Sequence, residues 1–290
     1  MKILITGGSG LLGQYLNVVL SQNHEILTLF NKNVGNWGNF KSQRLNLLDT
    51  KMLQRVFSNF KPDVVIHLAA ISKPILPKNI STKDVYELNV NATKNIAQLC
   101  DKFNSKLIYT STDLVYAGYR GSMLKEDAKL IPASLYAETK LMGEIKIKET
   151  FDKFIILRTA LLFGFGIIHS KNHFQKMYME LRQGNQVKLF IDQYRTPISL
   201  REYARIFKEL VEINIKSETI NFGGVERVSR YDLGEQLCEM TKFNKELLVK
   251  ITMDQVPSMP KVEDVSMDTT KLQSYGIKQR SIEEMIYEIL

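Results

Sequence analysis

"KILITGGSGLLGQYL", Lys2–Leu16, is the stretch that decides the fold. Its first five residues, Lys2–Thr6, form a β-branched run of strand type. From Leu11 on, apolar positions recur at Leu12, Tyr15, Leu16 and Val19, the spacing of a helix face. Between them lies "TGGSGLLG", Thr6–Gly13. Gly8, Gly10 and Gly13 match G-x-G-x-x-G, and Gly7, Gly10 and Gly13 match G-x-x-G-x-x-G. The physics is common to both templates. Glycine permits the tight turn, lets backbone approach a pyrophosphate, and lets the helix pack close to the strand. The helix N-terminus then faces the anion. A strand, a glycine turn and a helix at the head of a chain predict a dinucleotide cradle.

Outward from this unit, strand and helix patterns alternate. "EILTLF" is a second strand and "TKMLQRVFSNF" a helix stopped by Lys61-Pro62. "DVVIHLAA" is a continuously apolar third strand, buried on both faces, and a long helix covers about Asp84 to Phe103. "KLIYTST", a helix around Tyr136, and "FIILRT" complete the pattern. The alternation predicts an α/β fold: a Rossmann doubly wound parallel sheet over residues 1–165. After about Gly164 helix patterns dominate, with N-caps at Ser199 and Ser229 and a capping box at Ser281 and Glu284. Residues 166–290 are expected to form a smaller, mostly helical substrate lobe, with a strand near 219–223 returning to the sheet.

The composition is that of an ordinary globular chain: 290 residues, 44% hydrophobic and 24% charged. Net charge is +8, from 39 Lys+Arg against 31 Asp+Glu, but the lysines are dispersed. No basic run with interleaved aromatics points to nucleic acid, so a few cations serving an anionic small molecule is the better reading. Cys100 and Cys238 lie far apart and in no metal or redox spacing, which fits a reduced, cytoplasmic protein. No apolar run approaches the ~18 residues of a membrane span, and no signal-peptide pattern opens the chain.

Two further features bear on chemistry. The dinucleotide fingerprint wants an acid at the end of the second strand to hold the ribose 2′-hydroxyl. Here the residues are Asn31 and Lys32. Lys32 either meets the 2′-phosphate of NADP or is a loop lysine, so NADP(H) is favoured and NAD(H) stays open. The other feature is "SLYAETKLMGE", Ser134–Glu144, which sets Tyr136 four residues before Lys140, on one helix face. A cation one turn away lowers the pKa of a phenol by favouring the phenolate.

With these pieces in view, the chain resembles the extended short-chain dehydrogenases/reductases, and more closely the dTDP-4-dehydrorhamnose reductase family. The resemblance runs over nearly the whole length, through "TGGSGLLG", "NLLD", "HLAA", "LNVNATKNIA", "STDLVYAG", "YAETKLMGE", "LRTALLFG", "NHF", "DQYRTP" and "VSMDTTKL". It implies that Gly7, Gly10, Leu11, Leu12 and Gly13 cradle the cofactor, and that Asn31 and Lys32 meet its ribose. Asn46 and Leu47 would lie beside the adenine, and Ala69 and Ala70 along the cofactor path. Asn89 would organise the site from the long helix. Tyr136 would be the proton donor, Lys140 would hold the nicotinamide ribose, and Thr112 would orient the substrate carbonyl. The implied activity is reduction of a keto sugar, the expected substrates being nucleotide-linked 4-keto-6-deoxy sugars, with a homodimer as one expected assembly.

Three positions depart from the family pattern. Leu114 stands where tyrosine usually follows "STD", and Leu161 stands where tryptophan follows the fifth strand. Arg195 stands where glycine is common. The two leucines leave the reductase machinery in place and the sugar open. Arg195 is either a bidentate grip on phosphate or carboxylate or a solvated loop residue, and Asp113 either binds a sugar hydroxyl or caps a turn. "SKPILPK", Ser72–Lys78, either shapes the pocket or is only a turn. Tyr116 and Tyr119 are expected to serve packing. His169 and His173 have no third ligand at a metal spacing, so no metal is expected. Two alternatives to a reductase remain. One is a non-catalytic NAD(P)-binding regulatory protein, since the regulatory subunit of methionine adenosyltransferase is similar to these reductases. The other is a nucleotide-sugar epimerase. Dehydration is disfavoured because Leu114 replaces the second acid the related dehydratases use.

Overall fold

The computed structural model describes all residues except 34, 74–75, 169–171 and 257–259, and except the side chain of Trp37. The glycine unit forms β1 (Lys2–Thr6) and α1 (Leu11–Leu20). It is followed by β2 (Glu25–Phe30), β3 (Ser42–Arg44), α2 (Thr50–Phe60) and β4 (Val64–His67). Lys61 takes a left-handed φ of 51° after α2, and Pro62 cannot continue the helix, so the chain turns there.

The long helix comes in three joined parts: α3 (Thr82–Tyr86), a wide π-type turn over Glu87–Asn91, and α4 (Ala92–Phe103). Its periodicity predicts one helix but cannot predict the wide turn, which carries the buried Asn89. β5 (Lys106–Thr112), α5 (Leu135–Thr150) and β6 (Phe154–Thr159) follow. The remainder holds β7 (Leu162–Phe163), α6 (His173–Arg182), β8 (Val187–Phe190), β9 (Tyr194–Arg195), β10 (Ile198–Ser199) and α7 (Leu200–Glu212). It ends with β11 (Glu218–Phe222), β12 (Val228–Ser229), α8 (Arg230–Thr241), β13 (Leu248–Ile251), α9 (Thr270–Ser274) and α10 (Ile282–Ile289).

Seven strands form one sheet in the order β11-β6-β5-β4-β1-β2-β3, and every pairing in it is parallel. Strand side chains alternate between two cores, as the two-residue period requires. Ile3, Ile5, Ile66 and Ile155 face the core shared with Leu16 of α1 and Tyr203, Phe207 and Leu210 of α7. Leu4, Val65, Leu107 and Ile156 face the opposite core, with Phe57, Ile96, Cys100 and Ile147 from α2, α4 and α5. The sheet is thus covered on both faces, a Rossmann-like α/β architecture. Both cysteines are buried and unpaired. No helix among the described residues is long and apolar enough to cross a membrane.

Because all seven strands run the same way, their carboxyl ends share one rim. The order along it is Thr112 after β5, Ala69 and Ala70 after β4, and the glycine turn after β1. Asn31 and Lys32 follow β2, and Asn46 follows β3. From β1 the strand order runs outward through β2 and β3 on one side and through β4, β5 and β6 on the other, so the crossovers change sides between β1 and β4, which is where a doubly wound sheet opens a crevice.

Candidate active site

The glycine turn is built for close approach. Gly7 has φ 70°, and a Cβ there would stand 2.8 Å from the Ala69 nitrogen. A Cβ on Gly13 would stand 2.4 Å from the Gly7 carbonyl oxygen. Larger side chains would therefore fill the space between the turn and the end of β4. Gly10 caps α1 without a side chain, which leaves the backbone N–H groups of Leu11, Leu12 and Gly13 at the open helix end. Leu12 is itself a core residue, so only its backbone faces this cradle. The cradle fits a dinucleotide pyrophosphate in shape and in polarity.

Around it, Ala69 and Ala70 are half-buried, whereas Asn31, Lys32 and Asn46 are exposed on the rim and Leu47 is buried beneath it. The Asn46 side-chain oxygen accepts from the Leu48 N–H at 3.1 Å. Asn89 ties the loop after β4 to α5. Its Oδ1 accepts from Ile71 N–H at 2.8 Å, and its Nδ2 donates to the Ile71 carbonyl at 3.1 Å and to Thr139 Oγ1 at 3.0 Å. Below the rim, His67 is wholly buried between Thr6 at 2.7 Å and Thr93 at 2.9 Å. Burial, aided by the Lys140 charge, pulls its pKa down to about 3, so the ring is neutral.

Ser134 starts α5 by accepting from the Ala137 N–H at 3.2 Å. Tyr136 and Lys140 then share the face turned to the sheet, but the two side chains sit in different surroundings. The Lys140 ammonium is 3.9 Å from the centre of the Tyr109 ring, and burial pulls its pKa down to about 7 against the opposing charge of Glu144. The Tyr136 hydroxyl lies near the Thr112 hydroxyl, whose own hydrogen bonds run to Asp113 and to the Leu114 N–H. Burial first, and then the charge of Asp113, push the phenol above its ordinary range, with the nearby Thr112 hydroxyl opposing. The expected lowering of the phenol by Lys140 is therefore corrected. The i,i+4 spacing brings the two backbones together, but the cation is spent over Tyr109, and the carboxylate of Asp113 acts on Tyr136 instead.

Tyr136 opens into a cavity of about 260 Å³. Leu114, Leu161, Pro260 and Val262 give it apolar walls, and Asp113, Gln193, Arg195 and Arg230 give it charge and hydrogen-bonding capacity. Arg195 is 4% exposed, which rules out a solvated loop residue. Its Nε lies 3.7 Å from Asp113 Oδ2, and its guanidinium donates to the carbonyls of Tyr194 and Val262. Asp113 does not cap the turn after β5; Thr112 does, accepting from the Leu114 N–H at 3.3 Å. Instead Asp113 is buried, its Oδ1 accepts from Thr112 at 3.1 Å, and its Oδ2 has no hydrogen-bond partner. Burial raises its pKa against the pull of Arg195. The Arg230 pKa is pulled down to about 10 by burial and then by Arg195, and its Nε donates to Gln193 at 3.1 Å. Two guanidiniums facing one carboxylate favour an anionic guest.

The structure thus gathers Asp113, Leu114, Tyr136, Leu161 and Arg195, all singled out in the sequence, around one cavity, with Thr112 next to Asp113 at the end of β5. It adds Gln193 and Arg230, which the sequence reading missed. Gln193 sits inside the quoted "DQYRTP"; Arg230 carries no sequence signal, being the first residue of a helix that starts far along the chain. Ser72 lies on the cavity wall, while residues 74–75 of the same segment lie outside the described residues. Tyr116 is buried, donating to Asn221 Oδ1 at 2.6 Å. Tyr119 is 62% exposed and lines a separate cavity, so it does not serve packing. His169 falls outside the described residues, and His173 opens α6 with its pKa drawn down to about 4 by burial and then by Arg230.

A family model described as RmlD substrate binding domain matches residues 1–290. The chain belongs to this family. Among its relatives, the dTDP-4-dehydrorhamnose reductase of Aggregatibacter actinomycetemcomitans is 28% identical over 292 residues, covering 96% of this chain and 94% of that one. The methionine adenosyltransferase 2 subunit beta of Pongo abelii is 26% identical over 287 residues, covering 97% and 84%. The crystal structure of the dTDP-4-dehydrorhamnose reductase from Bacillus anthracis in complex with NADP superposes with a TM-score of 0.83. It is 20% identical, with 99% of this chain and 98% of that one covered, and at that identity the likeness speaks for the fold. The relatives of this chain thus include both a reductase and a subunit named for another enzyme.

Proposed function

We propose that this chain is an NAD(P)H-dependent reductase of a nucleotide-linked keto sugar, with Tyr136 as the proton donor. The observation that carries the reading is the Tyr136 side chain, near Thr112 at the end of β5 and opening into the cavity on the rim that also bears the glycine cradle. Gly7, Gly10, Leu11, Leu12 and Gly13 would hold the pyrophosphate, Asn46 and Leu47 the adenine end, and Ala69, Ala70 and Asn89 the path toward the nicotinamide. A reduced nicotinamide held there supplies a hydride to a carbonyl carbon. As charge grows on the carbonyl oxygen, Tyr136 delivers a proton to it and Thr112 polarises it. A phenol raised by burial is a weak acid in water, but it is matched to an alkoxide, which is far more basic. Lys140, on the same helix face, would meet the nicotinamide ribose.

The substrate side supports a nucleotide sugar. Arg195 and Arg230 suit a diphosphate, Asp113 a sugar hydroxyl, and Leu114 and Leu161 an apolar edge such as the methyl of a 6-deoxy sugar. NADP(H) is favoured over NAD(H), since the residues after β2 offer Lys32 and no acid. The non-catalytic alternative is less well supported, because Thr112, Tyr136 and Lys140 are all present. The test is oxidation of NADPH with a panel of keto-sugar nucleotides. Tyr136→Phe is expected to lower turnover by about 10²- to 10⁴-fold while dinucleotide binding persists. Full turnover by the phenylalanine variant would end the proton-donor reading.

A further inference from the structure

The rim at the far end of the sheet carries a second cation that no local motif announces. β3 runs parallel to β2 with Arg44 opposite Phe30, so Arg44 stands one residue short of the point where β2 gives way to Asn31 and Lys32. Its Nε donates to the Asn31 carbonyl oxygen at 3.0 Å. That bond ties the guanidinium to the backbone of the turn and leaves both terminal amino groups of the fork for another acceptor. Arg44, Asn31 and Lys32 are all exposed. Residues 31–48 contain no Asp or Glu. The acids that flank this span are engaged elsewhere: Glu25 pairs with Lys41 at 3.3 Å, and Asp49 caps α2 by accepting from the Met52 N–H at 3.0 Å.

We propose that Arg44, together with Lys32, forms the subsite for the 2′-phosphate of NADP and sets the preference of the site for NADP over NAD. The proposal rests on the dinucleotide reading of the glycine cradle. A ribose 2′-hydroxyl at the end of β2 asks for a carboxylate acceptor, and a 2′-phosphate asks for cations and the absence of that carboxylate. This rim supplies the second set. A planar guanidinium matches phosphate oxygens bidentately, whereas Lys32 offers a mobile point charge. Holding the Arg44 side chain against Asn31 reduces the freedom it loses on binding.

The test is calorimetric binding of NADPH, NADH, 2′,5′-ADP and 5′-AMP to the full chain and to its Arg44→Gln and Lys32→Gln variants. Because Arg44 is a surface residue, the variant is expected to fold, and NADH binding serves as the check. The expected result is that Arg44→Gln weakens NADPH and 2′,5′-ADP by about 10- to 100-fold and leaves NADH and 5′-AMP within about twofold. Lys32→Gln is expected to have a smaller effect of the same sign, and the wild-type preference is expected to shrink as salt rises. Equal affinity of the wild-type chain for NADPH and NADH would overturn the subsite, as would an Arg44→Gln variant that leaves NADPH unchanged or weakens NADH equally. A wild-type chain that binds neither dinucleotide would overturn the cradle reading, and this subsite with it.

Discussion

Lys140 is 2% exposed, and its nearest described company is a tyrosine ring, a neutral histidine and the more distant charge of Glu144. Such a site penalises the ammonium, which is why its pKa falls to about 7 from 10.5. The consequence for stability has a definite sign. Between those two values the unfolded chain holds the proton and the folded chain releases it. The unfolded state therefore binds more protons, and stability rises with pH across that window. Below about 7 both states are protonated and the full burial penalty is felt. Lys140→Met removes the titration while keeping most of the side-chain volume. The variant is expected to be more stable than the wild type at pH 6, with the difference closing as pH climbs from about 7 toward 10.5. Urea melts of both proteins at stepped pH measure it; a gap that does not change with pH would mean that Lys140 is not a strained cation. The same residue is expected to be indispensable for turnover, so stability and activity should part company in this one variant.

At the scale of elements, α5 and the wide turn before α4 hold the site between them. Ser134 caps α5 two residues before Tyr136, so loss of its hydroxyl frays the turn that carries the phenol. Ser134→Ala is expected to cost about 1 kcal/mol in denaturant unfolding. Asn89 does more, since it satisfies both the N–H and the carbonyl of Ile71 and also reaches Thr139. Asn89→Ala strands those groups, and a loss of about 1–3 kcal/mol is expected, with the loop after β4 becoming the first to exchange its amide hydrogens. These elements differ in how far the sequence discloses them. Strand runs, helix periods and the caps at Ser199, Ser229 and Ser281 are local signals, and they were readable because propensity and pattern agree there. The wide turn at Glu87–Asn91 was not, because an extra residue in one helical turn leaves the hydrophobic pattern almost unchanged. The site divides in the same way. Tyr136, Lys140 and the glycines belong to short motifs, whereas Arg230, Gln193 and Val262 meet Asp113 only because distant segments fold onto one cavity, and Arg44 meets Asn31 only through strand register.

Across the whole molecule, one buried polar hub joins the proton-donor helix to the sheet and to the last third of the chain. Arg158 of β6 and Glu144 of α5 are 2% and 1% exposed and 2.9 Å apart. Glu144 also accepts from Ser111 of β5 at 2.6 Å, and Arg158 donates to the Tyr116 hydroxyl at 2.9 Å and to the Glu126 carbonyl at 2.8 Å. Tyr116 passes the connection to Asn221 of β11, whose Nδ2 reaches the carbonyls of Leu124 and Asp268. Glu144, Lys140 and Tyr136 recur every fourth residue on α5, so the hub fixes the rotation of the face that presents Tyr136 to Thr112. A buried pair of this kind owes its worth to completeness, because either partner alone is an uncompensated charge. Arg158→Met and Glu144→Leu are each expected to cost about 3–5 kcal/mol, and the double variant clearly less than their sum, since it buries no charge. Tyr116→Phe removes only the relay hydroxyl, and its expected cost of about 1–3 kcal/mol comes from the Arg158 and Asn221 groups left short of a partner. Denaturant unfolding of the four variants gives the coupling directly. Strict additivity of the Arg158 and Glu144 losses would mean that the two side chains act independently, and the α5 face would then have to be held by packing alone.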